Sequence, residues 1–466
     1  MFAGSSGVRE WFENAVATFK RNVVHPLRRV FHFVLLLPPP RLLLIGYASY
    51  IAAGWVLLCL PFAQRQGSAA ALDHLFIATS AVSTTGLTTI SVAKAYTFFG
   101  QLVVLMLIQL GGIGYMTIGS FVILSRSESL PTLRENVGRF VFSLPDSFRL
   151  DKFVRSVVTF TLAIEGLGVL ALYPLFRNAG VEAPFWNALF HSVSAFCTAG
   201  FGLFDNSFES YTSHFWMNAV IGVLSYLGAV GFIVCVDAWR MLTRRVRQMT
   251  LTSRIILWMT FWLSVGGTAV LFLVEPSIRV LPAHERLMAA AFQCMTAMTT
   301  VGFNTVPIAG LSKAAVLTLI VLMVIGASPS GTGGGVKSTS VSVLLGFMSA
   351  AVRGRTEVTF WGRPIPPARV VAAIANIGFY TLSLLAGAFF LDLLEPAPFD
   401  QCFFEAASAL GTVGLSMGIT AGLTSLGKVL VVAMMYAGRV GPLTLAIALF
   451  APPGEPVEDT DRDVAV

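Results

Sequence analysis

FIATSAVSTTGL, residues 76–87, ends a short apolar run on Thr84, Thr85 and Gly86. The same phrase returns as FHSVSAFCTAGF (190–201), FQCMTAMTTVGF (292–303) and FEAASALGTVGL (404–415). The shared pattern is F-x3-[ST]-A-x2-T-x-G-[LF]. Its Phe-to-Gly distance is fixed, and the copies lie about a quarter of the chain apart. A solenoid repeats every 20–50 residues or so, and a period this long is a whole membrane module.

Composition sets the solvent. Hydrophobic residues make up 55% of the 466 and charged residues 12%, and mean hydropathy is +0.77. Such a chain is dissolved in lipid, as one all-α, polytopic membrane domain. The formal charge of +7 does not point to nucleic acid, because the basic residues lie in short loops between apolar runs. Cys59, Cys197, Cys235, Cys294 and Cys402 have neither metal-ligand nor CxxC spacing, so they read as packing residues. The N-terminus lacks the short apolar core and small-residue cleavage site of a signal peptide.

Residues 1–41 are basic, with apolar residues at near-helical spacing, and read as a helix on the cytoplasmic membrane surface or a disordered tail. Pro38, Pro39 and Pro40 break the chain before a span from Leu42 to about Phe62. The apolar run before Thr84 is then only about a dozen residues, too short to cross a bilayer, so it enters and stops as a half-helix. A second span follows from about Tyr96 to Leu124. This unit of span, re-entrant helix, Thr-x-Gly loop and span recurs with spans at Phe153–Leu175 and Phe215–Trp239, then Ile255–Val274 and Ala315–Phe347, then Val370–Leu394 and Lys428–Leu449. The expectation is four tandem repeats (42–125, 126–245, 246–352, 353–450) with eight transmembrane helices and four half-helices around one central pore. An acidic tail, 451–466, follows.

Lys and Arg concentrate in the N-terminal segment and at 126–155, 240–254 and 353–369. The segments that hold the motif copies carry only Arg65, Lys94, Arg177, Arg279, Arg286, Lys313 and Lys428. By the positive-inside rule the termini are cytoplasmic and the re-entrant segments open outward.

Non-helical backbone at membrane depth needs protein or a water-filled cavity to satisfy it. Four such loops meet that need by converging on one axis with their carbonyls toward an ion. Thr84, Thr198, Thr300 and Thr412 end the half-helices, and Thr85, Ala199, Val301 and Val413 continue the loops. Gly86, Gly200, Gly302 and Gly414 then permit backbone closed to other residues and a close approach of carbonyls. Each half-helix also aims its negative C-terminal end at that point, which favours a cation. A hydroxyl about one turn earlier (Ser80, Ser194, Thr296, Ser408) faces the same side. The competing reading, that Thr-x-Gly only stops a helix, suits one copy far better than four in register.

The second span of unit three runs into GASPSGTGGGVKSTS, residues 326–340, which cannot stay helical in lipid and should be an unwound segment under the loops. It is no P-loop, because Val336 precedes Lys337, and it does not match G-x-G-x-x-G. Lys337 either faces water or a partner, or snorkels to the interface. Arg439, in YAGRVGPLT, lies deep in an apolar span, where it can oppose cations electrostatically and pair with loop carbonyls. Glu165 should pair with a neighbouring helix or mark an ion route, and His191 and Glu405 should sit at a water-facing rim. Asn304 should bond loop backbone. The spans carry only scattered acids, without the paired groups an intramembrane enzyme needs, so no catalysis is expected.

With these features the chain resembles the Trk/Ktr/HKT superfamily of cation transporters over about residues 42–450, most closely the Ktr-type membrane subunit. The resemblance implies a potassium-channel tetramer fused into one chain, with one filter Gly per repeat accompanying potassium and a Ser in the first repeat marking sodium-selective plant members. It further implies an intramembrane gate loop built here by Gly331, Gly333, Gly334, Gly335 and Lys337, with Arg439 beside it. A homodimer and a cytoplasmic octameric ring of nucleotide-binding regulatory subunits are implied as partners in the cell membrane, with K+ as cargo and Na+ as a candidate activator. A sodium-permeable or sodium-coupled transporter of the same fold is the alternative.

Overall fold

Pro39 and Pro40 occupy the first turn of α1 (Pro39–Cys59), where a missing N–H costs nothing, so the proline run starts the helix it precedes. The structure, a computed structural model, describes residues 37–65, 69–114 and 150–450. Most of the N-terminal segment 1–41, the end of the expected span Tyr96–Leu124 from residue 115 on, most of the basic stretch 126–155 and the acidic tail 451–466 lie outside these residues.

After α1 come a short α2 (Ala71–Val82), a single helical turn at Val92–Ala95 and α3 (Phe98–Ile113). A long α4 (Leu150–Asn178) precedes a short α5 (Pro184–Phe196), then α6 (Phe215–Val230) and α7 (Phe232–Leu242). Next are α8 (Leu251–Val274), α9 (Ala283–Thr299), α10 (Lys313–Val324) and α11 (Ser338–Val352). A two-stranded hairpin, β1 (Thr359–Phe360) with β2 (Arg363–Pro364), leads to α12 (Pro367–Leu394), α13 (Phe399–Gly411), α14 (Ser425–Val440) and α15 (Pro442–Phe450).

Among the described residues α1, α4, α8 and α12 are long and apolar enough to cross a membrane, and each keeps most of its surface outside the protein core. The 12 residues of α2 and 13 of α5 and α13 span roughly 18–20 Å, well short of a hydrocarbon core of about 30 Å. These helices and α9 are instead enclosed by the rest of the chain, with Phe76, Phe190 and Phe404 fully buried and Phe292 nearly so.

Two expected spans are not continuous. Phe215–Trp239 and Lys428–Leu449 read as single helices, but the chain turns by 98° at Gly231 and by 92° at Gly441. The cause is local: both glycines hold φ near +90° and extended ψ, which no helix contains. Gly114 ends α3 with the same geometry, and α10 ends just before Gly326.

Packing follows a cycle. α3 lies against α5, α6 against α9, α10 against α13, and α14 against α2, so each of these helices packs on the short helix of the next quarter and the last returns to the first. Small residues make the approach possible: a Cβ on Gly111, Gly228 or Gly438 would overlap the carbonyl of Val82, Phe196 or Leu410. Closure between the chain's two ends is also polar. Lys428 Nζ meets Asp73 Oδ1 at 2.7 Å in a largely buried pair, and the Tyr436 hydroxyl donates to the Leu44 carbonyl at 2.7 Å.

Gly438→Ala should therefore destabilise the protein by about 1–3 kcal/mol, because backbone must move to admit the methyl group. Gly266→Ala, in open space on α8, should be neutral or gain about 0.5–1 kcal/mol. Thermal unfolding in detergent separates the two, and equal effects would contradict the packing described.

Candidate functional site

The short helices all stop in the same way, and the residue that stops them is threonine. Thr84, Thr198, Thr300 and Thr412 have φ of 54°, 49°, 59° and 50°, the left-handed region that β-branched residues avoid. In the first copy the Thr84 N–H donates to the Ala81 carbonyl (3.1 Å) and the Thr85 N–H to the Ser80 carbonyl (2.8 Å). The same two bonds recur in the other copies, with Ala199, Val301 and Val413 donating to Ser194, Thr296 and Ser408 at 2.8, 3.1 and 2.9 Å. This is a Schellman end with Thr where Gly usually stands. Four strained residues at one place point to function.

The glycine two positions later is thus free for another task. A Cβ on Gly86 would collide with the Ala199 carbonyl oxygen, one on Gly200 with that of Val301, one on Gly302 with that of Val413, and one on Gly414 with that of Thr85. The contacts run once round and close, so the four loops form a ring in chain order. In the first and fourth copies the glycine N–H donates to the hydroxyl of Ser80 (3.1 Å) or Ser408 (3.0 Å) on its own helix. In a trans peptide the carbonyl opposes the N–H, so tying the N–H back to the helix turns the Thr85 and Val413 oxygens to the seam between loops. Backbone carbonyls gathered this way are the chemistry that replaces the hydration shell of a monovalent cation.

Beyond the ring, the residue after each motif Phe fixes the outer loop in three copies. His191 Nε2 accepts from the Leu203 N–H at 3.4 Å while its Nδ1–H donates to the Asn187 carbonyl at 2.8 Å, and its ring stacks on Phe204. The amide oxygen of Gln293, turned to the loop, accepts from the N–H groups of Thr305 and Val306 at 3.0 Å each. Glu405 accepts from the hydroxyls of Ser416 (2.8 Å) and Thr420. His191 and Glu405 are therefore fully buried and do not line a wet rim as expected. Their polar atoms meet the loop, which removes the need for water.

Neighbouring outer loops are cross-tied as well. Asn304 Nδ2 donates to Glu209 Oε1 (2.7 Å) and to the Val306 carbonyl (3.2 Å). Asp205 pairs with Lys94 at 2.7 Å and accepts from Ser91, which together hold its carboxyl below the usual range.

On the opposite side of the ring lies the glycine-rich stretch. Thr332 Oγ1 is 2.9 Å from Thr198 Oγ1 and donates to the Phe196 carbonyl (3.2 Å), while Thr84 Oγ1 donates to the Thr332 carbonyl (3.3 Å). Side chains on Gly333 and Gly334 would overlap the Thr300 and Thr412 hydroxyls, so three consecutive residues meet all four ring threonines. Gly331 abuts the Ala229 carbonyl, and Gly335 turns the chain at φ 73°.

The break at Gly231 explains how this stretch is satisfied. It frees the Gly228 and Ala229 carbonyls at the end of α6, which accept from the N–H groups of Thr332 and Ser328 at 3.1 Å each. Although the stretch belongs to the third quarter and Arg439 to the fourth, its partners come from all four: Thr84 from the first, Phe196, Thr198, Gly228 and Ala229 from the second, Thr300 from the third, and Thr412 and Arg439 from the fourth. The signal for this was present: Gly-x-x-Gly at 111–114, 228–231 and 438–441 marks both the close approach and the turn.

Arg439 lies beside the stretch. Its Nη1 donates to Thr84 Oγ1 (3.0 Å) and to the Thr332 carbonyl, and its Nη2 to the Gly111 carbonyl, so one guanidinium joins the first, third and fourth quarters. Lys337 does not snorkel away: its Nζ donates to the Gly333 carbonyl at 2.9 Å. Glu165 accepts from Gln109 Nε2 of α3 at 3.0 Å, the inter-helix pairing expected of it.

Residues 51–456 match the TrkH family, cation transport proteins. The Ktr system potassium uptake protein B of Vibrio alginolyticus is 33% identical over 89% of this chain and 91% of its own. The potassium/sodium uptake protein NtpJ of Enterococcus hirae is 34% identical over 89% and 93%. Among solved structures, the potassium transporter TrkH of Vibrio parahaemolyticus superposes with a TM-score of 0.69 over 88% of this chain and 84% of that one, at 20% identity.

Glu405→Ala leaves two buried hydroxyls without their acceptor and should lower stability by about 1–3 kcal/mol. Glu405→Gln should cost less. An alanine variant that unfolds at the wild-type temperature would rule out the brace.

Proposed function

The chain belongs to the TrkH family of cation transport proteins, and on that premise we propose that it takes up potassium across the cell membrane through the Thr-x-Gly ring. The observation that carries this reading is the closed cycle of glycine-to-carbonyl contacts from Gly86 through Gly200 and Gly302 to Gly414 and back. A ring that admits no side chain brings carbonyls close enough to coordinate a dehydrated ion, and the four short helices add the negative ends of their dipoles. The filter in this proposal is Thr84, Thr85 and Gly86 with Thr198, Ala199 and Gly200, Thr300, Val301 and Gly302, and Thr412, Val413 and Gly414. The names of relatives, two of them potassium uptake proteins of a Ktr system, support potassium as cargo.

In this reading the chain crosses the membrane eight times in four repeats, with both termini cytoplasmic and the filter open to the outside. Residues 326–340 are the gate. They lie against all four filter threonines, so an ion passes only when Thr332, Gly333 and Gly334 move aside. Arg439 holds the closed position by its bonds to Thr84 and Thr332, and its charge opposes a cation at the same place. Lys337 splints the loop through Gly333. Opening is driven from the cytoplasm by a nucleotide-binding regulatory ring, on a homodimer of this chain. The name of NtpJ, a potassium/sodium uptake protein, favours sodium coupling or sodium permeation as the second reading.

Rubidium uptake into proteoliposomes, with and without competing sodium, tests the function. Strong inhibition by potassium and weak inhibition by sodium are expected, and equal inhibition would favour the second reading. Gly302→Ser, which forces a side chain against the Val413 carbonyl, should reduce the potassium preference at least about tenfold, the change that 1.4 kcal/mol between ions produces. An unchanged flux ratio would remove Gly302 from the filter. Arg439→Ala should raise basal flux, and a fall in flux from folded protein would assign the guanidinium to structure alone.

A further inference from the structure

A cavity of about 250 Å³ lies away from the ring, between the first turns of α8, the last turns of α11 and the β1–β2 hairpin. Its walls have two characters. Trp258, Met259 and Leu345 supply its apolar lining, Trp258 and Leu345 are half exposed, and Phe261, Phe347 and Met348 on the same two helices are exposed as well. Arg353, Arg355 and Glu357, all exposed, supply its charged lining.

Among the described residues, the exposed guanidinium groups of Arg353 and Arg355 have no side-chain hydrogen bond or ion pair. The cavity is a built feature of the fold. The hairpin is anchored by Val358, Ile365 and Phe360 against Leu251, Ile255 and Val343, and Gly346 leaves room for Phe360 and Val358 to close the floor. Beside it, Arg254 lies 4.7 Å from the half-exposed Trp361 ring at the hairpin tip. A tryptophan with a cation at a helix end is the pairing of a membrane–water boundary.

We propose that this cavity binds one anionic phospholipid, its phosphate on Arg353 and Arg355 and an acyl chain along Trp258 and Leu345, and that occupancy tunes the gate. The inference rests on the transport reading for its second half only. An apolar wall that opens to the lipid-facing surface and ends in two unpaired arginines matches a lipid in both its parts, whereas a soluble phosphate ester uses the arginines alone. By the positive-inside rule this side of the protein is the cytoplasmic leaflet, where anionic lipid attracts such cations. Coupling to the gate is short. α11 begins at Ser338, so the last three residues of the 326–340 stretch are already helical, and Ser338 Oγ is 3.2 Å from Ser328 Oγ in its irregular part. The lining residues Ser342 to Ala350 lie roughly 6–18 Å further along this same helix. A lipid held at its far end therefore biases the position of the helix that carries the gate.

Full-length protein in detergent, doped with phosphatidylglycerol, is examined by native mass spectrometry, and in parallel its rubidium flux is compared in phosphatidylcholine vesicles with and without phosphatidylglycerol. R353Q/R355Q should retain about thirtyfold less phosphatidylglycerol, the loss of two cations near the surface. Its flux in pure phosphatidylcholine should equal that of wild type, and the response to phosphatidylglycerol should disappear. Trp258→Ala should weaken retention with the arginines intact. Wild-type retention by both variants would overturn the site. Displacement of the lipid by soluble glycerol phosphate at equal concentration would overturn the acyl half. Loss of dimer mass without loss of bound lipid would assign the surface to a second copy of the chain. Absence of flux from every sample, with lipid retention still arginine-dependent, would contradict the transport reading and the gate coupling while leaving the lipid site standing.

Discussion

Backbone hydrogen bonding at the end of each short helix is the constraint on which the rest depends. A loop that leaves a helix inside an apolar protein must satisfy its own N–H groups, and here it does so by turning back on the helix. The Thr residues accept a left-handed conformation for this purpose, and the N–H groups of Thr85, Ala199, Val301 and Val413 return to the helix that precedes them. Carbonyls are thereby left for the opposite side. Only glycine can stand where the carbonyl of one loop meets the backbone of the next, and that requirement repeats until the ring closes.

The helices around the ring serve its closure. Gly111, Gly228 and Gly438 let α3, α6 and α14 touch the short-helix ends, and the Lys428–Asp73 pair fastens the last quarter to the first. Fourfold order ends below the ring. In the third quarter the chain leaves α10 as an irregular stretch that reaches all four ring threonines, and it takes its hydrogen bonds from the carbonyls that the break in α6 exposes. Arg439 stands in the fourth quarter where Gly112 stands in the first, and it spends its donors on Thr84, Gly111 and Thr332. An approximately fourfold ring with a single irregular element beneath it is what the proposed gating calls for, since only that element would have to move.

Much of this was legible because the physics is local. A dozen apolar residues cannot span a bilayer, and a run such as GASPSGTGGG cannot be a helix, so the short helices and the irregular stretch followed from length and composition. The breaks at Gly231 and Gly441 did not, because a single glycine in an apolar run is ordinarily tolerated, and the recurring Gly-x-x-Gly spacing that marks them takes its meaning from the dihedral angles of its last glycine. His191 and Glu405 were placed at water because their partners, the Leu203 amide and the Ser416 and Thr420 hydroxyls, become neighbours only when the outer loop folds back. The helix stop was legible as Thr and the glycine as a point of close approach, whereas the left-handed conformation of each Thr and the neighbouring-loop carbonyl that each glycine meets become visible only in the folded chain.

The central claim is that the four loops hold a dehydrated cation at their common axis. Crystals of the protein grown in rubidium and measured at the rubidium absorption edge test it without reliance on flux. An anomalous peak on the axis, about equally distant from the carbonyl oxygens of Thr85, Ala199, Val301 and Val413 and absent after exchange into sodium, is the result this account requires. A ring with no peak, or a peak that lies outside it, would contradict the account.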